Sequence, residues 1–194
     1  MNHIKDGACT IPNILTTLEC AAMIQKVEAI GFAPATVSLA GGPQMMTGIR
    51  NNDRVKFEDS ELAQLLETRL ENIIRNDDAR ARLNERFAVY RYDPGQRFKR
   101  HQDGTVKTDD GLEVSQQTVL IYLNDDCEGG ETVFSDIDRS GSQIKFLETP
   151  VTPETGMALI FEHELWHEGK PVTAGRKYVL RTDVLYPNTL HLIA

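Results

Sequence analysis

The sequence predicts a mainly β chain of the α+β class, a jelly roll or barrel with two N-terminal helices packed on one sheet. Hydrophobic residues recur at helical spacing only ahead of about residue 86. From Phe87 onward the pattern changes to alternation and short apolar runs separated by Gly and Pro. Helices first and many short strands afterwards suit a barrel supported by helices on one face. With 194 residues, 40% hydrophobic and 26% charged, the chain reads as one globular domain, its helical support at about 1–86 and its β core at about 87–187.

The first helix is expected over about Thr17–Ile30. Thr16-Thr17-Leu18-Glu19 has the form of a capping box, and Leu18, Ala22, Ile24, Val27 and Ile30 follow at roughly helical spacing before Gly31 stops the run. Val37 and Leu39 suggest a short strand. Ala40-Gly41-Gly42-Pro43 then opens a polar loop that is expected to run through Asn51-Asn52-Asp53-Arg54. Asp59-Ser60-Glu61 caps a second helix with a broad apolar face of Leu62, Leu65, Leu66, Leu70, Ile73 and Ile74. Strands are expected near 87–92, 97–100, 116–123, 132–134, 143–148, 157–161, 165–168, 171–173 and 176–186. In Thr118–Leu123 the aliphatic face of Val119, Ile121 and Leu123 should meet the helices, and Thr118, Leu120 and Tyr122 should line the interior.

A net charge of -8 argues against a nucleic-acid-binding surface. Cys9, Cys20 and Cys127 are irregularly spaced and read as reduced thiols. Neither a signal peptide nor a membrane-length apolar run is visible, so a cytoplasmic protein is expected.

His101-Gln102-Asp103 follows a strand-like segment. On a strand, residues i and i+2 share a face, so an imidazole and a carboxylate can converge on one point. A third ligand is needed, and His167 in Glu164-Leu165-Trp166-His167 is the candidate. Two histidines and a carboxylate form the facial triad of non-haem Fe(II) oxygenases. His163, His3 and His191 have no matching context, Tyr90 reads as core, and Gly129-Gly130 reads as a tight turn.

His101-x-Asp103, His167, Pro171-Val172 and Gly175-x-Lys177 resemble, in order, the Fe(II)/2-oxoglutarate dioxygenases of the prolyl 4-hydroxylase-like family. Tyr92–His101 resembles that family's lead-in to the first ligand, and Thr118–Leu123 with Gly129-Gly130-Glu131-Thr132 its central strand and turn. The resemblance runs from about Phe87 to Tyr186. It implies a double-stranded β-helix with His101, Asp103 and His167 as catalytic Fe(II) ligands. It also implies 2-oxoglutarate and O2 as cosubstrates, decarboxylation to succinate, hydroxylation of an unactivated C–H bond, and ascorbate as a reductant. Lys177 would hold the far carboxylate of 2-oxoglutarate, with Thr118 and Tyr92 as hydrogen-bonding partners. The neighbouring Arg176 competes for that role, and strand parity favours Lys177.

Arg181 and Asp183 share the inward face with Lys177, where they either pair together or leave Arg181 to meet substrate. Arg50, Asn52 and Arg54 are candidate substrate residues on one of two polar loops, Gly41–Lys56 and Gly104–Val114, expected to frame the mouth. The resemblance implies a prolyl residue of a protein or peptide as substrate, with a free amino acid or small metabolite as the alternative. A non-oxygenase metal-dependent barrel enzyme and a non-catalytic binding module are the readings from other classes.

Overall fold

A computed structural model describes residues 1–39, 41–75, 78, 80–138 and 145–188. Ala40, His191 and the first two positions of the strand expected at 143–148 lie outside these residues. Two antiparallel sheets form the body. The larger has nine strands, in the order 2–5, 8–11, 158–162, 113–122, 177–187, 86–92, 53–58, 33–34, with 82–83 added beside 177–187. The smaller has the order 145–151, 132–138, 167–169, 98–101. Short pairs at 37–39 with 42–44, and at 128–129 with 172–174, complete the β structure among the described residues. This is the jelly-roll arrangement expected.

The helices form where the caps place them. Helix α1 spans Thr17–Ile30; the Glu19 amide donates to Thr16 Oγ1 at 3.2 Å and the Thr16 amide to the Glu19 carboxylate at 2.7 Å. Helix α2 spans Ser60–Ile74, and Asp59 accepts from the Leu62 amide at 2.9 Å. Arg69 of α2 bridges to Glu19 with both guanidinium ends, at 2.8 and 2.7 Å, tying one helix start to the flank of the other.

Both helices pack on the outer face of the large sheet. Cys20, Met23 and Val27 of α1 and Leu62, Leu66, Leu70 and Ile74 of α2 join one core with Val119, Ile121, Leu123, Val89, Leu180 and Val184. The opposite parity, including Tyr122, Leu159, Phe161 and Val179, faces Phe134 and Val151 of the small sheet in a second core. The interior face of Thr118–Leu123 is thus the expected one.

Three expectations need correction. The buried stripe of α1 runs through Cys20, Met23 and Val27, while Leu18 and Ile30 are exposed, because the docking contact selects positions i, i+3 and i+7. The loop expected through Arg54 ends earlier: Asp53–Glu58 is a strand paired along Arg86–Tyr92. Its charged residues hide the alternation, since Val55 and Phe57 alone face the helical core. The N-terminal 86 residues are also not a purely helical support. Asn2–Lys5 and Ala8–Ile11 form a hairpin about Asp6-Gly7 that extends the large sheet beside Ala158–Glu162. Asp-Gly is the turn signal that marks it, and Gly7 has φ 75°.

Leu66 is fully buried where α2 meets the sheet. Leu66→Ala is expected to lower unfolding free energy by about 3 kcal/mol, read from a shifted denaturant midpoint with unchanged slope.

Candidate active site

The two histidines meet because their strands pair. His101 ends the strand Phe98–His101, His167 opens His167–Gly169, and the two are directly opposed in the antiparallel register. Asp103 lies just beyond the strand end, its amide donating to the His163 carbonyl at 3.1 Å. One ligand atom from each of His101, Asp103 and His167 falls within 4.8 Å of the others. Their Nε2 atoms stand 3.7 Å (His101) and 3.8 Å (His167) from the Asp103 carboxylate.

Both imidazoles are oriented by the backbone. His101 Nδ1 is 2.8 Å from the Lys99 carbonyl and His167 Nδ1 is 2.9 Å from the Leu165 carbonyl. A carbonyl only accepts, so the proton sits on Nδ1 and the Nε2 lone pair points to the shared centre. Phe98 stacks on His101 at 3.5 Å between centroids, and Phe161 meets His167 edge-on at 4.6 Å. Burial pushes His167 down to about 4, against the pull of Asp103, which keeps it neutral near pH 7.

The carboxylate is held just as firmly. Thr118 Oγ1 donates to Asp103 Oδ2 at 2.6 Å, and Arg181 Nη2 lies 3.3 Å from the same oxygen. Burial opposes ionisation of Asp103, but the Arg181 guanidinium holds the group well below the usual carboxylate range. Arg181 also reaches Asp183 at 3.2 Å and the Tyr90 hydroxyl at 3.3 Å. Behind them, buried His163 faces Asp183 at 3.5 Å. A backbone-oriented imidazole pair beside an ionised carboxylate is a donor set that fits a divalent iron ion.

Lys177 lines the same chamber as the three ligands and is 3% exposed. Its Nζ donates to the Gly130 carbonyl and lies over the rings of Tyr122 and Tyr92, 5.2 and 5.5 Å from their centroids. No carboxylate among the described residues is within ion-pair distance of it, and burial pushes it down to about 8. A buried ammonium without a counter-ion fits the far carboxylate of 2-oxoglutarate. Arg176 lies on the outward face, bound to Asp93 at 2.6 Å. Gly129 and Gly130 do more than turn the chain. A Cβ on Gly129 would stand 2.5 Å from the Pro171 carbonyl, and the Gly130 carbonyl is the Lys177 partner.

The other expected residues fall in three places. Tyr92 lies directly opposite Lys177 in the sheet, its hydroxyl raised to about 12 by burial. Thr118 does not join Lys177, because it pairs across the strand with Asp183 at the other end of the chamber and spends its hydroxyl on Asp103. Near Lys177 the hydroxyl pair is instead Tyr122 and Thr132, 2.8 Å apart. Arg50 and Asn52 are buried, not solvated loop residues. Arg50 lies between Phe98 and Tyr90, 4.1 and 4.7 Å from the ring centroids, and donates to Asn52 at 3.0 Å. Arg54 donates to the Thr36 hydroxyl at 2.8 Å.

Tyr90 is buried with Tyr92 and Val172, as the sequence indicated, and it also lines the chamber. Thr132 was hidden inside the Gly-Gly-Glu-Thr turn.

Comparison with known proteins places these features in a class. The model of the 2OG-Fe(II) oxygenase superfamily matches residues 87–182, which contain the whole ligand set. The chain is an iron- and 2-oxoglutarate-dependent oxygenase, an oxidoreductase that uses Fe(II), 2-oxoglutarate and O2.

Within that superfamily it is prolyl 4-hydroxylase-like. A probable prolyl 4-hydroxylase of Arabidopsis thaliana is 28% identical over 90% of this chain and 67% of the relative. A PKHD-type hydroxylase of Alteromonas mediterranea is 26% identical over 86% and 73%. Among solved structures, the viral collagen prolyl hydroxylase of Paramecium Bursaria Chlorella virus-1, in complex with 2-oxoglutarate, has TM-score 0.65 at 21% identity, covering 92% of this chain and 96% of that one. A Trichoplax adhaerens prolyl hydroxylase, in complex with a hypoxia inducible factor peptide, has TM-score 0.67 at 19% identity, covering 98% and 88%.

Thr118→Val should leave Asp103 Oδ2 with Arg181 alone. The expected result is a 10- to 100-fold weaker Fe(II) affinity, by analogy with other groups that orient metal ligands, measured by anaerobic titration.

Proposed function

We propose that this enzyme hydroxylates an unactivated C–H bond of a prolyl residue in a protein or peptide while 2-oxoglutarate is decarboxylated to succinate and CO2. The observation that carries the reading is Lys177, a buried cation without an anionic partner, in one chamber with His101, Asp103 and His167. The prolyl preference is supported by two of its relatives, a probable prolyl 4-hydroxylase and a prolyl 4-hydroxylase of Arabidopsis thaliana. A free amino acid or small metabolite is the alternative substrate, favoured by the guanidinium groups of Arg50, Arg54 and Arg181 beside the chamber.

In this reading His101, Asp103 and His167 hold Fe(II), which supplies oxygen activation coupled to oxidation of the cosubstrate. Lys177 binds the distal carboxylate of 2-oxoglutarate, assisted by Tyr92 and Thr132. Arg181 and Thr118 set the orientation of Asp103. Phe98 stacks on the His101 ring, and Phe161 and Phe134 pack against the His167 ring, which restrains both imidazoles. Ascorbate would serve as the reductant that keeps iron in its ferrous form. Three free thiols, Cys9, Cys20 and Cys127, support a reducing, cytoplasmic setting. Among the described residues no helix is long and apolar enough to cross a membrane.

The deciding experiment measures succinate release from 2-oxoglutarate with and without Fe(II), alongside a screen of prolyl peptides and free amino acids for a 16 Da mass gain. His101→Ala and Asp103→Ala should each abolish iron-dependent succinate release, and retained turnover in either defeats the assignment. Lys177→Ala should raise KM for 2-oxoglutarate about 10- to 100-fold with a smaller change in kcat, the cost of losing a charged hydrogen bond.

Lys177 also sets a pH dependence. Its folded value is depressed to about 8, so the ammonium that attracts the cosubstrate is present below that pH and lost above it. KM for 2-oxoglutarate should therefore rise about tenfold from pH 7 to pH 9, following the charged fraction of a group titrating near 8.

A further inference from the structure

Beside the ligand chamber, and sharing Tyr90 and Arg181 with it, lies a cavity of about 590 Å³. One wall is the strand Asp53–Glu58. Val55 and Phe57 turn toward the helices, so Arg54 and Lys56 turn the other way and line the cavity. In the sheet Arg54 lies opposite Tyr90 and Lys56 opposite Ala88. The inner face of a jelly-roll sheet ordinarily carries apolar side chains. Here it carries two cations.

Their charge is not cancelled locally. Arg86 is met by Glu58 and Asp109, and Arg181 by Asp103 and Asp183. Arg54 is met only by the neutral Thr36 hydroxyl. Among the described residues no carboxylate lies within ion-pair distance of Arg54 or Lys56. Deeper in, Arg50 is 4% exposed, donates to the neutral Asn52 side chain, and leaves Nη2 without a hydrogen-bond partner. Burial first, and then the neighbouring guanidinium groups, push Arg54 and Lys56 below their ordinary values. Since the whole chain carries a net charge of -8, this positive excess is not a reflection of composition.

We propose that Arg54 and Lys56 bind a carboxylate of the substrate, so that this oxygenase acts on acidic substrates. The carboxylate belongs either to an Asp or Glu neighbouring the oxidised residue of a peptide or to a free amino acid. The inference rests on the oxygenase reading and names the substrate chemistry that reading leaves open. The position fits: the cavity adjoins the ligand set through Arg181 and Tyr90, so an anion held on the Asp53–Glu58 strand leaves the adjacent part of the substrate facing the metal.

The test uses the full chain with Fe(II) and saturating 2-oxoglutarate in the absence of O2, so that Lys177 is engaged and nothing turns over. Capped prolyl peptides differing only in a neighbouring Asp, Asn or Lys are titrated by fluorescence anisotropy, and L-proline and L-prolinamide by calorimetry. The Asp peptide is expected to bind about tenfold more tightly than its Asn isostere, as for one charge-assisted hydrogen bond. That advantage should shrink as salt is raised. The same factor for L-proline over L-prolinamide, with no difference among the peptides, identifies a free amino acid as the source. Lys56→Glu, at an exposed position on the cavity wall, should turn peptide preference toward Lys, and Arg54→Gln, which keeps a donor for Thr36, should reduce the Asp advantage. Equal binding of the carboxylate and amide probes, or binding by none of them, overturns the proposal. Succinate release by the unaltered enzyme without any prime substrate tests the oxygenase reading separately, so the two failures are distinguishable.

Discussion

The contact of Asp103 with Thr118 and Arg181 joins the two sheets at the point where chemistry takes place. His101 and His167 belong to the small sheet, held opposite one another by its ladder. Thr118, Lys177 and Arg181 belong to the large sheet. Neither sheet alone contains a site. Asp103, on the chain leaving the small sheet, is drawn onto the large one by a hydroxyl and a guanidinium directed at one oxygen. A buried carboxylate without those partners would protonate or swing away, because desolvation disfavours its charge. The geometry of the ligand set is therefore a property of how the sheets face each other.

The helices make that interior possible from the other side. The large sheet places its aliphatic parity, Val119, Ile121, Leu180 and Val184, under α1 and α2, where most of its apolar burial takes place. With stability supplied there, the inner parity can carry Thr118, Lys177, Arg181 and Asp183. The same division explains the strand Asp53–Glu58, which contributes Val55 and Phe57 to the helical core and turns Arg54 and Lys56 inward.

Much of this was legible in the residues. Caps at Thr16 and Asp59 carry their own local chemistry, so both helices begin where the sequence indicates. Strand parity separated Lys177 from Arg176 because a period of two leaves no intermediate orientation. What escaped depended on long-range partners. The stripe of α1 includes Cys20 and Met23 only because the sheet lies there. Asp53–Glu58 has charged residues on its cavity face, so it reads as a loop until its neighbour Arg86–Tyr92 is known. Thr118 was matched to Lys177 by family likeness, but register sets it against Asp183 and within reach of Asp103. The N-terminal hairpin was the one omission with a local signal, Asp6-Gly7.

The charges of the last long strand have a spatial logic. Lys177 and Arg181 share one face but are four residues apart, roughly 13 Å along an extended strand. Both line the chamber of the ligand set, the first with no anion of its own among the described residues, the second already committed to Asp103 and Asp183. Two anions can then approach the same centre from different ends without lying against each other: a dicarboxylate at Lys177 and a substrate carboxylate on the Arg54 side. Moving the cationic excess two strands away keeps Arg181 free to orient Asp103, because a guanidinium engaged by substrate would release the ligand whose position the site requires. The separation of the two tasks, orientation by Arg181 and attraction by Arg54 and Lys56, follows from placing them two strands apart in one sheet, with the strand that carries Tyr90 between.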